Sequence, residues 1–433
     1  MTGNGNVDSS PTTVMTVIGT RPEAIKLAPV ILQLERVAEA EPGRLRSVVA
    51  LTGQHRELVD TMLPVFGIKA HYDLNLMQPG QGIEDVTSRV LQGMSCLLKA
   101  VQPDLVLVQG DTTTVFGTSL AAFYQRIPVG HVEAGLRSGD RYNPFPEELN
   151  RVLTSKLASM HFAPTERAKR NLLAEGIPSG SIYVTGNTVI DALYHVLRSG
   201  RAAGVGPAPE SPRQDRDRRK AERVVLVTLH RRESWGERMT DVCRALRRLV
   251  DTLEDVSVVL PVHPNPAVRA TIHEMLSMHP RIHLTEPQDY VSFVALLNQA
   301  TLVVTDSGGV QEEAPALGKP VLVVRDTTER PEAVEAGVAQ LVGTDGNAVY
   351  DAAVELLTNE TSYQAMAVGT SPFGDGHAAE RIVKHILEWA GGRATYRDGK
   401  GTTRIRVTKR PPHVLPEPIS RPPAEPATAR LTN

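Results

Sequence analysis

Cysteine is nearly absent: Cys96 and Cys243 are the two in 433 residues. They stand far apart and match no metal or redox spacing. A disulfide scaffold, a zinc site and a dithiol centre are thereby disfavoured, and both residues read as reduced thiols of a cytosolic protein. A charge excess is missing too. The net charge of -2 leaves no global attraction to nucleic acid or to a membrane surface. No uninterrupted apolar run is long enough to span a bilayer. Residues 1–13 are polar and carry no Lys or Arg, unlike a secretory signal. The expectation is a cytoplasmic protein that neither binds nucleic acid nor inserts into a membrane.

Short apolar runs alternating with helical patterns are abundant. Val14–Ile18, Ser47–Leu51, Leu105–Gln109, Ile127–His131 and Met160–Ala163 read as strands. Helical patterns lie near 24–40, 55–66, 84–101, 114–125, 147–158 and 166–175. The second half repeats the style with Val224–Thr228, Val256–Pro261, Ile282–Thr285, Leu302–Thr305 and Val321–Val324. This alternation predicts an α/β fold of two Rossmann-like domains with a central cleft as the site. The expected organisation is a disordered N-terminus (1–13), a first domain (14–189), a linker with a charged loop (190–222) and a second domain (223–370). A C-terminal helix (371–390) is expected to pack back on the first domain. From Arg393 onward there are nine Lys/Arg against three Asp/Glu among many prolines, so 391–433 reads as a disordered basic tail.

The segment Leu302–Ala333 is the most informative. An apolar run ends in Asp306-Ser307-Gly308-Gly309, and a helix can start there with Gln311, Glu312 and Glu313 in its first turn. Open α/β sheets bind ligands at such strand ends. Ser-Gly-Gly before a helix leaves backbone N–H groups unobstructed, which suits a phosphate. Glu313 accepts only when ionised, so beside a phosphate it repels unless it grips hydroxyls, as on a ribose. The alternative is a tight turn whose acids favour the helix N-terminus.

Carboxylates mark the first half. Asp111 closes one predicted strand, Glu133 closes the next, and Glu147 follows a proline-marked loop. A lone Asp111 could be an N-cap. Three acids on one edge repel, which is expected to raise their pKa values and suits acid–base work. Arg21, Lys26, His230, Arg231 and Arg232 lie at strand ends opposite them. Surface ion pairs are the alternative; a diphosphate held across the cleft would use these cations from both domains.

Five ordered motifs carry a resemblance: Gly19-Thr20-Arg21-Pro22-Glu23-Ala24-Ile25-Lys26, Gly110-Asp111-Thr112-Thr113-Thr114, His131-Val132-Glu133-Ala134-Gly135-Leu136-Arg137, His230-Arg231-Arg232-Glu233 and the block Asp306 to Glu332. From about Val14 to Trp389 the chain resembles the non-hydrolysing UDP-N-acetylglucosamine 2-epimerases of bacteria. The resemblance implies a glycosyltransferase-B type fold, a homodimer and no cofactor or metal. It implies reversible conversion of UDP-GlcNAc to UDP-ManNAc through 2-acetamidoglucal, supplying ManNAc units for cell-surface glycans. Asp111, Glu133 and Glu147 then match the family's carboxylates. Asp111 and Glu133 are expected to transfer protons with Glu147 in support, and which one removes the proton is left open. Arg21, Lys26 and His230 match the residues that hold the diphosphate. Ser307, Gly308 and Gly309 would bind phosphate, Glu313 the ribose, Gln288 and Phe293 the uracil, and Arg330 completes the set. By composition alone Phe293 reads as a core aromatic. A second UDP-GlcNAc as activator would use Gln54, His55, Gln81, Arg231 and His263.

Other readings keep the same cleft. One is a hydrolysing relative, a glycosyltransferase of the same fold, or an epimerase of a UDP-diacetamido sugar. Another is a UDP-sugar-binding sensor without turnover, against which the carboxylate trio argues, because a binder gains nothing from negative charge near a diphosphate.

Overall fold

Buried apolar strands, each feeding a helix, build two parallel sheets. In this computed structural model the described residues are 11–54, 56–78, 80–202, 223–231, 235–369 and 371–393. Residues 1–10 of the expected N-terminal tail, residues 203–222 of the charged loop, residues 394–433 of the C-terminal tail, His55 and Arg232 lie outside the described residues.

The first sheet holds β1 (Thr12–Ile18), β2 (Leu45–Leu51), β3 (Tyr72–Asp73), β4 (Leu105–Gln109), β5 (Val129–Val132), β6 (Met160–Ala163) and β7 (Ile182–Val184). Its order is β3-β2-β1-β4-β5-β6-β7, parallel throughout. Around it run α1 (Arg21–Ala40), α2 (Arg56–Phe66), α3 (Ile83–Val101), α4 (Thr113–Tyr124), α5 (Glu147–Leu157), α6 (Glu166–Ala174) and α7 (Thr188–Arg198). The second sheet holds β8 (Arg223–Thr228), β9 (Val256–Pro261), β10 (Ile282–Thr285), β11 (Leu302–Thr305), β12 (Val321–Val323) and β13 (Ala339–Leu341), in parallel order β10-β9-β8-β11-β12-β13. Its helices are α8 (Glu237–Thr252), α9 (Pro266–Leu276), α10 (Tyr290–Gln299), α11 (Gly308–Ala316), α12 (Pro331–Glu335), α13 (Gly346–Thr358), α14 (Glu360–Met366) and α15 (Ala378–Arg393).

All five residues of β4 are buried, as expected of a strand covered on both faces. The apolar stripe of α3 (Val90, Met94, Leu97, Leu98, Val101) packs on one side of this sheet, and that of α8 (Met239, Val242, Cys243, Leu246, Leu249) on the second. Cys243 lies inside that second core, where burial pushes its thiol up to about 12. Both sheets reverse their strand order once, between β1 and β4 and between β8 and β11. Ligands bind outside the carboxyl ends of strands at such reversals. The residues there are Gly19–Arg21, Gly110-Asp111, His230 and Asp306-Ser307.

Several sequence-based boundaries differ for physical reasons. The strand expected at Ile127–His131 is Val129–Val132, because Pro128 has no N–H for the ladder. β3, β7 and β13 are too short, and β13 too polar, to register as apolar runs. Residues 190–198 of the expected linker are helix α7, and the C-terminal helix starts at Ala378. α11 starts at Gly308, so Gln311, Glu312 and Glu313 fall in its second turn and are buried. They are therefore not helix-start acids.

The compact unit runs to Ile386, and the rest of α15 belongs to the segment from Leu387. Within the compact unit, Asp191 of α7 accepts hydrogen bonds from the backbone of Ala378 and Ala379 at 3.2 and 2.9 Å, and His385 stacks on Tyr183 of β7.

Candidate active site between the two sheets

A glycine is needed where β1 turns into α1. A Cβ on Gly19 would lie 2.3 Å from Thr114 Oγ1 at the start of α4. Glu23, in the first turn of α1, is buried under this turn. It accepts from Gly19 N (2.6 Å), Thr20 Oγ1 (3.0 Å) and Thr112 Oγ1 (2.7 Å), joining the turn that carries Arg21 to the turn that carries Asp111. Burial raises its carboxyl to about 7 against these donors.

Of the three carboxylates expected to repel one another, Asp111 and Glu133 are each paired with a separate cation. Asp111 accepts from Arg151 of α5 at 2.5 Å, and Arg151 also holds Glu148 at 3.1 Å. The cap of α4 is Thr112, not Asp111. Glu133 adopts a left-handed backbone (φ 63°), uncommon outside glycine, and is ion-paired with Lys26. Burial pushes the Glu133 carboxyl up, but the charges of Lys26 and Arg330 and donors from Lys26 and Asn187 leave it below its ordinary value. The expectation of a raised pKa is thus corrected at Glu133: a cation, not another acid, is its nearest charge. Lys26 is raised in turn, since Glu133 and Glu312 outweigh its burial. Glu147 is the first residue of α5, half-buried, with no ion-pair partner among the described residues.

On the second sheet, Asp306 is fully buried between the ends of β8 and β11. It accepts from the backbone of His230 and Arg231 at 2.9 Å each and lies 3.1 Å from His230 Nδ1. Burial lowers the His230 pKa, and Arg231 and His263 add to this against the opposing charge of Asp306. Ser307 is the N-cap of α11 with no side-chain cap bond. A Cβ on Gly308 would stand 3.9 Å from the guanidinium groups of both Arg231 and Arg330, and Gly309 faces open space. Free helix-start N–H groups flanked by guanidinium ions form an anion site.

These elements enclose a cavity of about 560 Å³. Arg21, Lys26 and Arg330 bring cations to it, His230 brings an imidazole, and Ser307 and Gly309 bring the α11 start. Gln288, Phe293 and Glu313 line it as well. Phe293 therefore faces the cavity and is not a core aromatic. Gln288 is held by its own loop, donating to the Glu286 carbonyl at 2.6 Å. Asp111, Glu133, Glu147 and Gly308 are not among the lining residues; Glu133 reaches the cavity through Lys26. Glu313 is buried and accepts from Tyr290 Oη at 3.1 Å, and burial raises it to about 7, with the Glu312 charge adding to the rise. Among the expected activator residues, His263 lines this same cavity, its ring 6.5 Å from that of His230. Gln54 accepts from Thr114, Arg231 faces Glu329 at 3.9 Å, and Gln81 Nε2 is buried with no hydrogen-bond partner among the described residues. Among the described residues, no cluster of three or more His, Cys, Asp or Glu could hold a metal ion.

Sequence reasoning missed Glu23, Arg151, Asn187, Tyr290 and Glu312. Tyr290 had a signal, three residues before Phe293 on the same helix. Glu312 had one too, as the neighbour of Glu313 in the same short helix.

Comparison with known proteins places these features in context. A family model described as UDP-N-acetylglucosamine 2-epimerase matches residues 38–387. The chain is 50% identical over 382 residues to the UDP-N-acetylglucosamine 2-epimerase of Escherichia coli, covering 86% of this chain and 98% of that protein. It is 50% identical over 374 residues to that of Bacillus subtilis, covering 86% and 94%. A crystal structure of the Neisseria meningitidis UDP-GlcNAc 2-epimerase bound to UDP-GlcNAc superposes with a TM-score of 0.78 at 47% identity, covering 87% of this chain and all of that one. The two parallel α/β domains match this architecture, which is of the glycosyltransferase-B type.

Proposed function

The chain belongs to the UDP-N-acetylglucosamine 2-epimerase family, and from that premise we propose that it interconverts UDP-GlcNAc and UDP-ManNAc by reversible inversion at C2. The observation that carries the mechanism is one cavity with cations from both sheets, the start of α11, and Glu133 salt-bridged directly behind Lys26. The diphosphate lies on Ser307, Gly308 and Gly309 between Arg21, His230 and Arg330. Glu313 takes the ribose hydroxyls, and Gln288 and Phe293 take the base.

The C2 proton is not adjacent to a carbonyl, so a base alone is insufficient. Its removal must be coupled to departure of UDP from C1, giving the unsaturated 2-acetamidoglucal. Cations placed on the diphosphate stabilise the charge that develops there. Re-addition of UDP with protonation on the opposite face of C2 completes the inversion, which calls for two differently placed proton-transfer groups. Glu133, held ionised by Lys26 and Arg330, suits a base. Asp111, on the neighbouring strand end and anchored by Arg151, suits the second group. Glu147 supports them. A homodimer, an activating second UDP-GlcNAc, a cytoplasmic location and supply of ManNAc units to surface glycans complete the reading.

Incubation with UDP-GlcNAc in heavy water, followed by NMR, tests it. The expected result is deuterium at C2 of intact UDP-linked sugars. Free sugar accumulating with stoichiometric UDP would instead assign a hydrolysing enzyme.

A further inference from the structure

Asn187 has no part in the reading above, yet it stands between the groups that do. It is buried and caps the N-terminus of α7, where its Oδ1 accepts from Val189 N at 3.2 Å. Capping uses only that oxygen, and Ser, Thr or Asp would serve as well. What Asn adds is two amide N–H donors. Nδ2 donates to Glu133 Oε2 at 3.0 Å and to Glu312 Oε2 at 2.9 Å. Glu133 follows β5 of the first sheet, and Glu312 lies in α11 beside the second. Each carboxylate is ion-paired on its far side, Glu133 with Lys26 and Glu312 with Arg330. The result is a buried chain, Lys26–Glu133–Asn187–Glu312–Arg330, whose two cationic ends line the cavity. The backbone N–H of Asn187 is fixed as well, donating to Phe373 O at 2.6 Å.

We propose that Asn187 is a positioning residue that sets Glu133 and Lys26 in register with Arg330, so that proton transfer and stabilisation of the leaving diphosphate act on one bound substrate. Without its two donors, Glu133 and Glu312 would lose the one group among the described residues that is hydrogen-bonded to both. The proposal rests on the assignment of Glu133 to proton transfer.

Asn187→Thr isolates this role, because Thr retains the capping oxygen but lacks the double donor. The account expects a folded protein with UDP affinity within about twofold of wild type and kcat for C2 exchange reduced by about 10- to 100-fold, the scale of a small misplacement. KM should change little. The acid limb of the kcat profile should move to higher pH, since Glu133 loses a hydrogen bond that favours its ionised form. The charged groups still facing that carboxylate are Lys26 from α1, Arg330 from the loop before α12 and Glu312 from α11, which shares the Asn187 amide with it, with His131 of β5 kept neutral by burial. Asn187→Asp, which puts a third carboxylate between the two, should lower kcat further. Wild-type kcat and pH profile in Asn187→Thr would overturn the proposal, as would a kcat loss that merely tracks lost UDP affinity and melting temperature. Should neither variant fold, Glu312→Gln reads the same chain, and unchanged kcat and pH profile there overturn it. Glu133→Gln run alongside separates the premises: wild-type exchange in it removes the premise and the proposal together. Lost exchange there, with normal exchange in Asn187→Thr, removes only the role of Asn187.

Discussion

Burial raises the Glu313 carboxyl to about 7 against the hydrogen bond from Tyr290, so near neutral pH it is shared between its two protonation states. Ribose hydroxyls donating to it stabilise the ionised form. Nucleotide binding should therefore release a proton near pH 7, and affinity should weaken as pH falls below that value. Calorimetry of UDP binding in buffers of different ionisation enthalpy measures the proton. Glu313→Gln should release none and bind about 10- to 100-fold more weakly, the scale of a hydrogen bond to a charged group. Unchanged affinity would remove the ribose role. At this scale the sequence was legible wherever function clusters locally. Gln288 and Phe293 sit five residues apart at one helix start, and Ser307, Gly308 and Gly309 are consecutive. It was not legible where a role depends on partners distant in the chain. Asn187 is 54 positions from Glu133 and 125 from Glu312, and only the fold brings them together.

Among the elements, the start of α15 is held by one carboxylate. Asp191 of α7 accepts from two backbone N–H groups there, a capping role worth about 1 kcal/mol, up to about 2. Asp191→Ala should lose that amount in urea denaturation, and Asp191→Asn less, because one oxygen remains. Burial raises the Asp191 carboxyl from 3.8 to about 6 despite those donors, so the folded state binds the extra proton. Stability from this group is thus full below about pH 4 and falls as pH rises toward 6. Asp191→Asn should flatten that part of the stability profile, and an unaltered slope would contradict the assignment. Strands were legible where apolar residues cluster, as in Leu105–Gln109 and Val256–Pro261. Tyr72–Asp73 is too short for any pattern, and Ala339–Leu341 has exposed residues at two of three positions.

Across the whole molecule the two sheets divide the work. The second offers an anion site at the start of α11 with Glu313 behind it, and the first brings Lys26, Glu133 and Asp111. Further contacts tie the halves together away from the cavity: Thr165 Oγ1 to Glu332 at 2.9 Å, Arg167 to Glu335 at 2.8 Å, and Tyr194 Oη to the Ala316 carbonyl at 2.9 Å. The alternation of strands and helices was enough to read two parallel domains, and strand-end residues were enough to read a cleft. The ion pairing inside that cleft was not readable, because which cation meets which acid is set by packing between elements and not by spacing along the chain. The division of work is tested most directly by measuring C2 deuterium exchange and UDP affinity together in Glu133→Gln and Glu313→Gln. The account predicts that Glu133→Gln abolishes exchange while keeping UDP affinity within about twofold, since its loss falls on the transition state alone. It predicts that Glu313→Gln weakens UDP binding while retaining exchange at saturating substrate. Exchange at the wild-type rate in Glu133→Gln, or loss of UDP binding there with none in Glu313→Gln, would contradict it.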